Sequence, residues 1–574
     1  MKHFLIYILL FNLGLHCSAQ SFRVLITGKS ILETKTIDSL KYNPKHTNTK
    51  SIEIELNRLS EDLSRIGYID NITGPLIQIN DSSYRAKIHL GEKIKAIHIY
   101  IGSNKKPNLP ILLKEEEEEE EEDTIILPYP EIDFYLRKKI QELEQNGFAL
   151  AKLKLTNIKR INAVLYANLK IETDKKRILN AITINYEDTN STTKFPSGHF
   201  AQLNRKYKTS IFNQKVLDQI YTDFENFGFI SQIKYPEILF TKDTTKVYVY
   251  LQKRKSNTFD GFIGFSNNEN QKITLNGYLD VQLQNILGTG EQLSVYWKSD
   301  GNNQKTFKAS VELPYLLKTP IGLKAQIQLF RQDTTFQNTK TAIDLSYFIN
   351  YNTRFYLGYQ KTESSAIQNL NNNPISDFNN SFLTSSFNYI KLNAANSIFS
   401  IKSSLTLQSG IGSRVLYTLS ENTTKSNQFF INIQGVHNFN LNKKNSIYVN
   451  SLNYYLQSNN YVTNELYRFG GFNSVRGFAE NSLQAYLMTS LLTEYRYIVS
   501  PNLYVHSILD YSIFKDKSAI DQQDKKENLI GIGMGLGLLT KNGLFKLALA
   551  SGSTTNQPLE INNTIVHISY NVTF

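Results

Sequence analysis

The sequence predicts a transmembrane β-barrel of 16 antiparallel strands preceded by three α/β modules. Three observations predict it. A glycine-aromatic pair recurs through the first half of the 574 residues. Strict two-residue alternation of apolar and polar side chains fills the second half. The turns of that second half are alternately tight and long.

The repeat is read from three segments, "LNRLSEDLSRIGYIDNI", "LRKKIQELEQNGFALAKL" and "LDQIYTDFENFGFISQI". Aligned, they place Gly67-Tyr68, Gly147-Phe148 and Gly228-Phe229 in register, with glycines 80 and 81 residues apart. A constant spacing of that size marks a repeated structural unit. Each copy opens on an extended stretch ("FRVLITG", "KAIHIYIG", "NAITINY"). A helical stretch follows, as where Leu56, Leu59, Leu63 and Ile66 recur at helical spacing. The glycine ends the helix in a left-handed cap, and strands such as "SYRAKIHLG" close the unit. The expected bounds are 20–93, 94–175 and 176–256. An unbroken acidic run, Glu115 to Glu122, reads as a self-repelling solvated loop; a site for basic clients or divalent ions is the alternative.

From Phe259 to the end the period is two. In "KITLNGYLDVQLQ", Ile273, Leu275, Leu279, Val281 and Leu283 share one face; Thr274, Asn276, Asp280, Gln282 and Gln284 share the other. Sixteen such segments start near 259, 272, 290, 303, 321, 336, 353, 379, 399, 427, 444, 482, 502, 526, 543 and 564. Connections such as "LGTG", "LKTP", "NKKN", "VSPN" and "TKNG" are tight. Others are long, "SSAIQNLNNNPISDFNN", "GSRVLYTLSENTTKSN" and "KDKSAIDQQDKKE" among them. Short turns at one end and long loops at the other distinguish a membrane barrel from a soluble sandwich. An even strand number leaves both ends on the side of the N-terminal modules.

Composition agrees with export to an envelope. Lys2, an apolar run from Phe4 to Leu15 and the small residues Ser18-Ala19 read as a secretory leader, residues 1–19. Lipidation at Cys17 would need a small residue before it, and His16 stands there. Cys17 is the chain's one cysteine, so no disulfide is expected. No segment offers the roughly 18 consecutive apolar residues of a membrane helix. The net charge of +12 suits anionic lipid headgroups or a solvated surface equally; nucleic acid is not expected. The nine histidines show no metal-ligand spacing and no nucleophile-base pattern appears. Neither cofactor, metal nor enzymatic activity is therefore expected.

The glycine-hinged segment "YRFGGFNSVRGFAEN", residues 467–481, falls between the eleventh and twelfth strand segments, in the sixth long loop. The modules resemble POTRA domains. Three such modules, the barrel, Val475-Arg476-Gly477-Phe478 in loop six and the terminal Phe574 together resemble the BamA/TamA outer-membrane assembly superfamily, nearest to TamA-like members with three POTRA domains. The resemblance implies that loop six folds into the lumen and pairs Arg476 with acids of the wall. Alternation turns Asp510 inward in "NLYVHSILDYSIF", and Glu494 and Arg496 inward in "SLQAYLMTSLLTEYRYIV", whose Leu483, Leu487, Leu491, Tyr495 and Tyr497 face lipid. Asp510 is the first expected partner and Glu494 the second, with Gly470 and Gly471 as loop hinges.

The resemblance further implies a seam between the first and last strands that opens sideways. Gly261 and Gly264 would weaken first-strand pairing there, and Tyr570 and Phe574 belong to the same seam on the last strand. It implies insertion or translocation of unfolded outer-membrane proteins bound along module edge strands, contact with outer-membrane lipid, and accessory envelope proteins of TamB or Bam-lipoprotein type. A two-partner secretion pore and a passive porin are the alternatives. Gly531, Gly533, Gly535 and Gly537, on one face of one segment, read as a crowded strand.

Overall fold

The computed structural model describes residues 21–102, 124–186, 194–267, 273–300, 304–367, 375–393, 398–417, 423–517 and 524–574. The expected leader and the Glu115–Glu122 run lie outside them. Two compact units form: residues 1–178 with 211–216, and residues 179–210 with 217–574.

The first unit holds two small mixed sheets. In the first, the strand Phe22–Thr27 runs parallel to Ser83–His89. Helices α1 (Ile31–Ser39) and α2 (Thr49–Arg65) lie between them in the chain. Asn48 and Ser51 start α2 with a reciprocal capping box. Ile52, Leu56, Leu59 and Leu63 then recur on one face and are fully or almost fully buried against Val24, Ile26 and Ile88. In the second sheet Ala96–Tyr100 runs parallel to Val164–Glu172, and helix α3 (Ile132–Gln145) lies between. Gly67 and Gly147 end α2 and α3 at φ of +111° and +97°, as the left-handed cap requires.

The second unit contains the third small sheet, Ala181–Tyr186 parallel to Thr245–Lys253, with helix α4 (Ser197–Tyr207). Gly228 departs from the expected cap, for it is not at positive φ. Close approach constrains it instead: a Cβ there would stand 3.0 Å from Gln284 Oε1, on the second barrel strand.

The barrel is closed by 16 strands. In chain order they are β1 (Thr258–Asn267), β2 (Ile273–Gln284), β3 (Gln292–Asp300), β4 (Gln304–Leu313), β5 (Ile321–Gln332), β6 (Phe336–Asn350), β7 (Thr353–Ala366) and β8 (Asp377–Leu392). Then follow β9 (Ile401–Tyr417), β10 (Thr423–Asn440), β11 (Asn445–Gln457), β12 (Leu487–Ser500), β13 (Leu503–Asp516), β14 (Lys525–Leu539), β15 (Gly543–Thr554) and β16 (Ile565–Thr573). Alternation behaves as a membrane barrel demands. On β6 the side chains of Ile343, Leu345, Tyr347 and Ile349 are exposed, while Asp344, Ser346 and Phe348 are buried inside.

Two expectations change. The ladder of β9 with β10 continues to Tyr417 and Thr423, so much of "GSRVLYTLSENTTKSN" is wall and not loop. The twelfth strand begins at Leu487, not near 482. Leu483–Ala485 instead pairs with Tyr467–Phe469 as a small hairpin of loop six. Leu483 therefore packs on the buried cluster of Phe469 and Val475 and does not face lipid.

Candidate functional site: loop six and the barrel seam

Loop six enters the lumen through a chain reversal that only glycine adopts freely. Gly470 and Gly471 both sit at φ +103°, and a Cβ on Gly470 would stand 2.6 Å from Ala479 O. The backbone then bonds across the turn, Gly471 N to Val475 O at 3.2 Å and Asn481 N to Gly470 O at 3.3 Å. Val475 is fully buried on a lumenal floor of Phe469, Ala485, Met488, Leu492, Phe514 and Leu529. Phe478 packs against the same cluster. This apolar seat orients the loop tip toward the wall.

Arg476 then meets the wall. Its backbone N–H and Nε donate to Asp510 Oδ2 at 3.0 and 2.8 Å, and Nη2 donates to Asp510 Oδ1 at 2.6 Å. Nη1 donates to Glu494 Oε1. Glu494 is shared: its other oxygen accepts from Arg496 Nε at 2.7 Å. Arg496 in turn stacks over Tyr448, 4.1 Å from the ring centroid. Two arginines and two carboxylates thus alternate with no net charge. Forked guanidinium–carboxylate bonding is the strong form of such a pair, and burial makes the loss of one member costly. A cavity of about 270 Å³ lies beside the cluster, bounded by Arg476, Glu494, Arg496, His506 and Lys546 among others.

The glycine stripe of β14 explains how the loop comes so close. A Cβ on Gly531 would stand 2.2 Å from Arg476 O, and one on Gly552 of β15 would stand 2.5 Å from Gly477 O. Gly477 itself sits at φ +86°, where a Cβ would strike Gly552 N at 2.4 Å. The crowding that the stripe relieves at Gly531 is therefore the loop-six backbone.

The seam is short. β1 and β16 pair at Thr258–Thr573, Phe259–Val572 and Asp260–Asn571, and Phe574 N adds a bond to Asn257 O at 2.9 Å. Asp260 clasps this contact from inside. Its Oδ2 accepts from Ser569 Oγ at 2.7 Å and its Oδ1 from the Tyr570 amide at 3.1 Å. Gly261 does not loosen β1 from β2, since the β1–β2 register continues unbroken from Thr258 to Asn267. A Cβ on Gly261 would stand 2.4 Å from Tyr278 O, so the glycine admits β2. Among the described residues, the pairing of β1 with β16 stops before Gly261 and Gly264.

Residues 285–563 match the Omp85 superfamily domain. That stretch of the barrel is an Omp85 superfamily domain. Solved structures with a similar fold include BamA of Haemophilus ducreyi lacking POTRA domains 1–3, at 16% identity over 77% of this chain and 93% of that chain (TM-score 0.45). CdiB of Acinetobacter baumannii matches at 16% identity over 77% and 82% (TM-score 0.49). CdiB of Escherichia coli matches at 13% over 77% and 84% (TM-score 0.47). No relative was found among curated protein sequences. With that domain in its 16-strand barrel, the protein is an outer-membrane barrel with periplasmic N-terminal domains.

Two features of this Omp85 barrel escaped the sequence reading. The first is a second buried ion pair, Arg414 of β9 with Glu465 of loop six. The second is a histidine socket at the periplasmic rim. His199 of α4 is almost fully buried, and neither ring nitrogen has a hydrogen-bond partner among the described residues. Phe227, Phe229, Tyr315 and Tyr351 surround it. A Cβ on Gly290, in the turn from β2 to β3, would stand 1.9 Å from the imidazole Cε1. Glu291 stiffens that turn by accepting from the Leu287 amide at 2.6 Å and the Thr289 hydroxyl at 2.7 Å. Burial, with the Arg354 guanidinium nearby, pushes the His199 imidazole down to about 3. Among the described residues no group of three His, Cys, Asp or Glu is placed to hold a metal ion.

Proposed function

We propose that this chain inserts or translocates unfolded outer-membrane proteins by lateral opening of the β1–β16 seam, with loop six as the lumenal latch. The short pairing at Thr258–Asp260 is the observation that carries the reading, because every other pair of adjacent barrel strands is joined by a longer ladder. Opening there breaks few backbone bonds and bares a strand edge on which a client strand can add. The three modules, 20–93, 94–175 and 176–256, are read as POTRA-like. Their long edge strands Lys152–Ile161 and Ile230–Phe240 offer backbone donors and acceptors to extended clients. Val475, Arg476, Gly477 and Phe478 with Asp510 and Glu494 hold the loop; Gly470 and Gly471 let it turn. TamB-type or Bam-lipoprotein-type envelope proteins are the proposed accessories.

Depletion of the protein followed by a census of outer-membrane proteins tests this. Loss of several barrel proteins is expected. Loss of one secreted protein alone would replace insertion by dedicated export, and an unchanged census would end the proposal.

A further inference from the structure

Loop six carries a second set of ties, on the arc of wall from β6 to β10, separated by β11 from the strands of Glu494 and Asp510. Arg414 is fully buried on β9, inside the lumen. Its Nη1 donates to Glu465 Oε2, and its Nη2 donates to Asn460 O at 3.2 Å and to Asn460 Oδ1. The other Glu465 oxygen accepts from Gln428 of β10 at 2.5 Å, and the same Gln428 amide reaches Ser458 Oγ at 3.1 Å. Asn464 continues the belt. Its Nδ2 donates to Ser364 Oγ of β7 at 2.7 Å and to Ser376 O at 2.8 Å, and its carbonyl accepts from Asn338 of β6 at 2.6 Å.

Polarity is reversed between the two sets. At Arg476 the loop supplies the cation and β12 and β13 supply the acids. At Glu465 the loop supplies the acid and β9 supplies the cation. The first half of the loop, 458–465, is thereby fixed to β6, β7, β9 and β10, and the second half, 475–478, to β12 and β13. Residues 466–474, with the glycines at 470 and 471 among them, separate the two halves. Each set is internally neutral and hydrogen-bonded, so each can persist when the other breaks.

We infer that loop six is a strut fixed at two stations, and that Arg414 with Glu465 positions its first half independently of Arg476. Release of Arg476 then swings the tip about the Gly470-Gly471 hinge while the root stays bound to β6, β7, β9 and β10. The loop need not leave the lumen for the tip to clear the strands beside the seam. The inference rests on the insertion reading only for its consequence; the two-station attachment is a property of the barrel itself and is read without any client.

Spin labels at Asn459→Cys and Asn473→Cys, one at a time in a Cys17→Ser background, report the two halves of the loop in the full chain in lipid vesicles. Arg476→Ala should raise the mobile fraction several-fold at 473 and leave 459 as in the parent. Arg414→Ala should do the reverse. Exchange of the pair, Arg414→Glu with Glu465→Arg, should restore immobility at 459. Glu465→Gln, which keeps the amide-sized side chain, is read by the same criterion if Arg414→Ala fails to assemble. Mobility rising at both labels together, an unmoved label at 459 in the Arg414 and Glu465 variants, or no recovery on exchange would each overturn the strut. None of these readings depends on insertion activity, so its loss alone would count against the proposed function and not against the strut.

Discussion

The wall between β9 and β10 and the seam between β1 and β16 are two joints of one cylinder, built to different strength. At the wall the register runs unbroken from Ser403–His437 to Tyr417–Thr423. At the seam it runs from Thr258–Thr573 to Asp260–Asn571. Ladder length sets how many backbone bonds must break together, so the first joint is permanent and the second is a candidate for opening. Side chains follow the same division. Arg414 and Gln428, on the long ladder, hold the root of loop six. At the seam a carboxylate, Asp260, supplements the few backbone bonds. The lesson is that an antiparallel barrel can be closed and still have one weak edge, and that buried polar groups show where the weakness is compensated.

The loop tip should show the largest effect. Arg476→Ala strands Asp510 in a buried site and should cost about 3–5 kcal/mol of barrel stability, read as a lower denaturant midpoint in lipid; an unchanged midpoint would remove the latch. Asp260→Ala should act chiefly on the seam, although it also removes the acceptor of the Tyr278 hydroxyl on β2. It deletes charge-assisted bonds to Ser569 and Tyr570, worth roughly 1.5–3 kcal/mol each. Hydrogen exchange at the Tyr570 amide should speed up while exchange at Ile431, on the long ladder, stays as it was. Equal acceleration at both sites would mean that Asp260 supports the whole cylinder.

Acid should act elsewhere, at the His199 socket on the turns of β2–β3, β4–β5 and β6–β7, and only gradually as the pH falls. His199 is neutral when docked, with a folded value of about 3 against an ordinary 6.5. The undocked state therefore binds more protons between these values. Stability is complete above pH 6.5 and falls as the pH drops toward 3, by up to about 1.4 kcal/mol per pH unit. Thermal scans across that window should show the loss, and His199→Phe should flatten it. A wild-type profile as flat as that of the variant would mean that the ring stays solvated.

Much of the barrel was legible because membrane strands obey a local rule. Side-chain alternation fixed the inward direction of Asp510 and Glu494 from sequence, and the lumenal pair lies where that direction points. The α2 face was equally readable from Leu56, Leu59 and Leu63. Strand ends were not, because polar residues continue on both faces above the lipid and mimic loop. That is why Arg414, lying in a stretch that reads as loop, escaped notice, and why Leu483 was turned toward lipid. The glycines of β14 were visible as a stripe, but the neighbour that Gly531 admits, Arg476 O, lies far away in the chain. His199 gave no signal at all, since half of its socket, Gly290, Tyr315 and Tyr351, comes from turns more than 80 residues downstream in the sequence.

One disulfide tests the lateral seam most directly. Thr258 and Thr573 are opposed in the ladder, within the reach of a disulfide. Thr258→Cys with Thr573→Cys should close the seam on oxidation and stop client insertion into vesicles, and reductant should restore it. Ser409→Cys with Ile431→Cys, the same chemistry on the β9–β10 ladder, should leave insertion untouched in either redox state. An oxidised seam that inserts clients as fast as the reduced one would contradict lateral opening between β1 and β16.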